Sequence, residues 1–250
     1  MLHKNTSEFP GQITSAMLQK SGVRFSISYL CSKIKKVMER VKVFNLIILD
    51  ESGSMESIKK PAVDGLNETV QTIRSAQENH QSEQEHFITL VVFNSNGIRT
   101  IFDCSPASKV KEIKCSDYRP NACTPLYDAM GLSLTKLKYQ LSDEVKSQVL
   151  VTIITDGYEN SSKEYDSRMI KKLVTELKNQ DWVFVYIGAN QDVCAVAESI
   201  AINNAMSFCA DYTGTKDMMN KTHFARKSFY QKVSAKLFDK NVNIQSNFFE

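Results

Sequence analysis

Apolar positions along the chain switch repeatedly between strand and helix periods. Residues 41–49, VKVFNLIIL, form a nearly unbroken apolar run of strand length that ends on Asp50. Beyond Pro61, the residues Val63, Leu66, Val70 and Ile73 recur at helical spacing as far as about Glu78, and the proline stands where a first helical turn tolerates it. The polar stretch NHQSEQEH reads as a loop. Phe87–Phe93 then reads as a strand, and NSNG turns it into a second one, Ile98–Asp103, because Asn-Gly favours a tight hairpin. A loop through Tyr118 and Pro120 leads to Thr124 and Pro125, read as the N-cap and first residue of a helix striped by Leu126, Met130, Leu134, Leu137 and Leu141. Val149–Ile154 is almost wholly β-branched, as suits a strand covered on both faces. A helix around Ile170–Leu177, a strand Trp182–Ile187, a helix Val193–Ile200, a short strand Met206–Cys209 and a last helix at about Thr215–Phe238 complete the series.

This order predicts an α/β domain over residues 41–240: a doubly wound, mainly parallel six-stranded sheet with one antiparallel edge strand and helices on both faces. Residues 1–40 read as a basic N-terminal extension and 241–250 as a C-terminal tail. Within the extension, Ile27, Leu30, Ile34 and Val37 fall at helical spacing among lysines. In doubly wound sheets, ligands bind beyond the carboxyl ends of the strands where the winding reverses. The run that ends on Asp50 leads to such an edge.

Charge and composition narrow the partners. Residues 1–42 carry eight Lys and Arg against two Glu, so the chain's net charge of +3 divides into +6 there and −3 elsewhere. A net charge this small does not by itself imply a polyanionic partner, and no nucleic acid is expected. No stretch approaches the roughly 20 apolar residues of a membrane span, and the first residues lack a secretory pattern. The six cysteines form no CxxC pair and no zinc spacing. They are expected to be reduced and buried, in a cytoplasmic protein.

Three segments place small oxygen-bearing side chains at strand ends or helix starts. They are Asp50, Ser52 and Ser54 in LDESGSM, Thr124 in NACTPLYDA, and Asp156 in VTIITDGYEN. Each alone has an ordinary explanation as a cap or turn. A doubly wound sheet brings all three to one rim, where two carboxylates and three hydroxyls without His or Cys suit Mg²⁺, Mn²⁺ or Ca²⁺ and not zinc.

DESGSM resembles the D-x-S-x-S signature of von Willebrand factor A (vWA) domains, a Rossmann-like fold whose metal centre is the metal-ion-dependent adhesion site (MIDAS). Thr124 and Asp156 fall where that family places its remaining ligand loops, and TPLYDA and TDG follow the bacterial style of the motif. The resemblance covers about residues 42–215. It implies that Ser52, Ser54 and Thr124 ligate a Mg²⁺ through neutral hydroxyls, with Asp50 and Asp156 acting mostly through water. It further implies a protein-interaction module that captures an acidic residue of a partner protein. Related bacterial domains work beside AAA+ ATPases or in stress-response assemblies, and the same class of partner is the expectation here.

The alternative is a metal-assisted phosphohydrolase on the same rim. Position 52 is serine where an aspartyl-phosphate enzyme wants D-x-D, and no G-x-S-x-G, P-loop or G-x-G-x-x-G is present. No catalytic residue is assigned, and the chain is read as a non-enzyme. Among the neighbours, Asp128 either supports the site or favours its helix N-terminus, and Glu51 and Glu56 read as solvated. Glu159 and Asn160 are candidates for the rim, Tyr118 and Tyr127 edge the site or pack beneath its loop, Trp182 reads as core, and His80 and His86 lack a ligand set.

Overall fold

The structure, a computed structural model, describes residues 40–142, 147–189, 192–245 and 248–249. The helical spacing of Ile27–Val37 lies outside the described residues. The chain divides between residues 39 and 40 into two units, and every described element belongs to the second.

Its elements are β1 (Val41–Asp50), a 3-10 helix (Gly53–Ile58), α1 (Lys59–Asn79), β2 (Gln84–Asn94), β3 (Gly97–Pro106), α2 (Leu126–Gln140), β4 (Ser147–Thr155), α3 (Ser167–Lys178), β5 (Val183–Gly188), α4 (Val193–Ser199), β6 (Asn204–Ser207) and α5 (Tyr212–Phe238). They form the doubly wound α/β sheet expected from the alternating pattern. The strand order is β3-β2-β1-β4-β5-β6. Every neighbouring pair is parallel except β2 with β3, the antiparallel edge hairpin.

The nearly unbroken apolar run of β1 has a direct cause: both of its faces are covered. Val43, Ile47 and Leu49 join Val63, Leu66 and Val70 of α1 and Phe229 and Val233 of α5 in one apolar layer. Phe44, Leu46 and Ile48 join Leu126, Met130 and Leu134 of α2 and Ile170 and Val174 of α3 in the other. Each such side chain contributes about 1.5–3 kcal/mol by leaving water. Ile244 and Phe248, in the segment set apart as a tail, are buried in the α1–α5 layer.

Three expectations are corrected. β2 begins at Gln84 rather than Phe87, so part of the polar stretch is strand, and both Gln84 and His86 are buried. Their partners come from the far end of the chain and from each other: Gln84 Nε2 donates to the Tyr230 carbonyl at 2.8 Å and to Ser234 Oγ at 2.7 Å, and its Oε1 lies 2.9 Å from His86 Nε2. Burial, with His80 and Arg226 nearby, pushes the His86 pKa down to about 3. Arg226 itself is 1% exposed and donates to Thr152 Oγ1 at 2.9 Å, while the Tyr230 hydroxyl donates to Asn45 Oδ1 at 2.6 Å. The last helix thus rests on the sheet through polar as well as apolar groups. Second, the described cysteines are not a buried set, for Cys115, Cys123, Cys194 and Cys209 are exposed and Cys104 half-buried, all of them free, while Cys31 lies outside the described residues. Third, α2 starts at Leu126 with Pro125 as its N-cap, and Thr124 does not cap it.

Candidate metal centre

β1 pairs with β2 on one side and β4 on the other, so the winding reverses between β1 and β4. Asp50 ends β1, and Asp156 follows Thr155, the last residue of β4. The crevice outside these two carboxyl ends is where a doubly wound sheet leaves room for a ligand.

Asp50 is 0% exposed. Its Oδ1 accepts the Ser52 N–H at 2.7 Å and its Oδ2 accepts the Thr155 hydroxyl at 2.6 Å. Burial nevertheless raises its pKa from 3.8 to about 6, because two hydrogen bonds only partly replace the lost hydration. The Ser52 and Ser54 hydroxyl oxygens lie 3.2 Å apart, and Ser54 donates to Asp156 Oδ1 at 2.6 Å. Burial also raises the Asp156 pKa, against the lowering effect of Ser54. Thr124 and Ser54 flank Gly157: a methyl group on its Cα would lie 3.5 Å from Thr124 Oγ1 and 3.9 Å from Ser54 Oγ. The structure therefore brings Asp50, Ser52, Ser54, Thr124 and Asp156 to one place from three separate segments.

Both hydroxyls that stand before helices are left out of capping. Ser52 occupies the N-cap of the 3-10 helix without a side-chain capping bond, and no side chain at the start of α2 forms the usual local cap. The first amides of α2 are satisfied from elsewhere. Tyr127 N–H donates to Glu159 Oε2 at 2.9 Å and Asp128 N–H to Ser162 Oγ at 3.0 Å. Glu159 also accepts the Ser161 and Ser162 N–H groups, so its carboxylate ties a turn to the start of α2. Asp128 serves the same loop, accepting N–H bonds from Lys163, Glu164 and Tyr165 at 2.7, 2.9 and 2.8 Å. Asn160 Oδ1 accepts the Thr124 N–H at 2.8 Å, and the Asn160 N–H donates to the Thr124 carbonyl at 3.1 Å. Tyr118 packs beneath the loop and donates its hydroxyl to the Asp50 carbonyl.

Glu51 departs from the expectation of a solvated side chain. It is 2% exposed, held by Arg99 and by the Arg119 N–H. Nothing local marks this residue, because its cationic partner lies 48 residues away on the edge strand.

Among the described residues, no group of three or more His, Cys, Asp or Glu is placed to hold a metal. The five-residue set is of another kind, two buried carboxylates with three hydroxyls. That donor chemistry fits a hard divalent cation, whose charge would offset the burial of two acids. No helix among the described residues is long and apolar enough to cross a membrane.

No protein-family model matches the chain, and no curated protein sequence does. Solved structures match it. Proximal thread matrix protein 1 from the mussel byssus, with a zinc-occupied MIDAS motif, aligns over 72% of this chain at 17% identity with a TM-score of 0.55. The pilus adhesin SpaC of Lactobacillus rhamnosus GG aligns over 77% at 12% identity, again with a TM-score of 0.55. This is the vWA fold. At these identities the likeness concerns the vWA fold alone, and the match spans 47% of the mussel protein and 32% of the adhesin.

Proposed function

We propose that this vWA-fold domain is a divalent-metal-dependent interaction module and not an enzyme. Ser52, Ser54 and Thr124 would hold the ion as a MIDAS, with Asp50 and Asp156 supporting them. One observation carries the reading: oxygen side chains from three distant segments gather at the switch point, while two that stand before helices are withheld from capping. A divalent cation held mainly by neutral hydroxyls keeps enough charge to attract a carboxylate. The fitting partner is a protein presenting an exposed Asp or Glu, in the setting of an AAA+ ATPase or stress-response assembly. Mg²⁺ is the expected ion, with Mn²⁺ and Ca²⁺ compatible with the same oxygens. A cytoplasmic location belongs to this proposal. The fold likeness to a byssus matrix protein and a pilus adhesin supports an adhesive or binding role in general terms.

Calorimetric titration of Mg²⁺ into the wild type and Asp50→Ala tests it, together with a phosphatase assay and a pull-down with and without chelator. Heat in the wild type alone, no turnover and chelator-sensitive capture are the expected results. Metal-dependent turnover lost in the variant would put the phosphohydrolase reading first. Absence of heat in both proteins would leave only the fold.

A further inference from the structure

We propose that Glu51 and Arg99 form a latch that positions the Thr124 segment for the cation, a role that rests on the metal reading above. Asp50 and Ser52 serve the candidate centre, yet Glu51 between them is turned the other way. Arg99 Nη2 donates to both of its oxygens, at 2.7 and 2.9 Å, and the Arg119 N–H donates to Oε1. The Glu51 carbonyl meanwhile accepts the Asn121 N–H at 2.9 Å and Asn94 Nδ2 at 3.2 Å. One residue of the first ligand segment thus holds the end of β2, the edge strand β3 and the segment 119–121.

The held segment leads straight to Thr124. Gly53 N–H donates to the Ala122 carbonyl at 3.0 Å, and Ala122 adopts a left-handed φ of 63°. An alanine keeps that conformation only where its surroundings impose it. Cys123 is fastened to the β2–β3 turn, its N–H donating to Ser95 Oγ at 3.1 Å and its carbonyl accepting the Ser95 N–H at 3.0 Å. The path from Glu51 to the backbone just before Thr124 is therefore short and made of directional bonds. A buried carboxylate left without its cation is strongly unfavourable, so Glu51 stays turned toward β3 only while Arg99 is there. The Arg99 side chain is 46% exposed, which makes this support reachable from outside the domain.

The test is Mg²⁺ calorimetry on the full chain as wild type, Arg99→Ala, Thr124→Ala and the double variant, with amide exchange over residues 119–124 in chelator. Arg99→Ala is expected to weaken Mg²⁺ binding by about tenfold or more, as loss of a ligand-orienting partner does, and to speed exchange over that segment. In the Thr124→Ala background the same change is expected to alter affinity by less than about threefold, because the ligand being positioned is already gone. If Arg99→Ala does not fold, Glu51→Gln with Arg99→Gln removes both charges together and leaves no buried ion unpaired. The same loss is expected there. Unchanged affinity in a folded variant overturns the latch, as does an equal loss in both backgrounds, which would mark a general effect on stability. A wild type that takes up no Mg²⁺ overturns the metal reading itself and the latch with it.

Discussion

Asp50→Asn is expected to make the metal-free protein more stable while abolishing its response to metal. The Asp50 carboxyl is fully buried, and burial sets its pKa at about 6 where the ordinary value is 3.8. A raised acid pKa gives stability that is present in full below about pH 4 and lost as pH rises through about 6. The gap of roughly two units corresponds to ~3 kcal/mol at 1.36 kcal/mol per unit. Asparagine keeps the shape and one acceptor oxygen for the Ser52 N–H. Its amide would face the Thr155 hydroxyl, which already lies 3.1 Å from the Gly157 carbonyl and can turn to donate there. Neutral hydrogen bonds are weaker than those to a carboxylate, so a net gain of about 1–2 kcal/mol remains. For a domain of this size that raises the melting temperature by about 2–8 °C. The assay is thermal unfolding followed by circular dichroism in chelator at about pH 7.5 and pH 4, repeated with millimolar Mg²⁺. The advantage should fade at the lower pH, and Mg²⁺ should raise the melting temperature of the wild type alone. A variant that melts below the wild type in chelator at the higher pH, or gains equally from Mg²⁺, would refute the reasoning.

Other consequences arise from the geometry. With the His86 pKa held near 3, the unfolded chain takes the proton first, so stability is lost as pH falls below about 6.5, by up to ~5 kcal/mol at pH 3. His86→Gln is expected to flatten that acid limb in a series of urea midpoints. Asp128→Ala removes the acceptor for three backbone N–H groups and is expected to cost about 2–4 kcal/mol in chemical denaturation, with faster exchange of the 163–165 amides. A Cβ at Gly131 would stand 2.4 Å from the Tyr165 ring, so Gly131→Ala is expected to destabilise by about 1–3 kcal/mol, and equal stability would show that the ring yields freely.

What can be read from the chain, and what cannot, divides along the reach of the interactions. β1 is legible because apolar layers cover both of its faces, so composition alone marks it. The start of β2 is not, since Gln84 owes its place in the strand to groups on α5 that lie 146 and 150 residues away. Asp50, Ser52, Ser54 and Asp156 stand out because strand ends in a doubly wound sheet converge by topology. Thr124 stands out as well, though its local pattern suggests the wrong role: nothing near it in sequence announces that Glu159 and Ser162 satisfy the α2 amides. Glu51 misleads for a related reason. A charge beside a turn reads as solvated unless its partner is in view, and Arg99 stands on an edge strand where an arginine attracts no notice.

The satisfaction of the α2 amides by residues 159 and 162 makes the order of assembly matter. A nascent chain that has passed residue 140 holds every residue of that helix, yet the acceptors that finish its first turn have not been synthesised. They lie beyond Thr155, the last residue of the strand that pairs with β1. A fragment that stops short of residue 162 would therefore leave that helix open at its leading end.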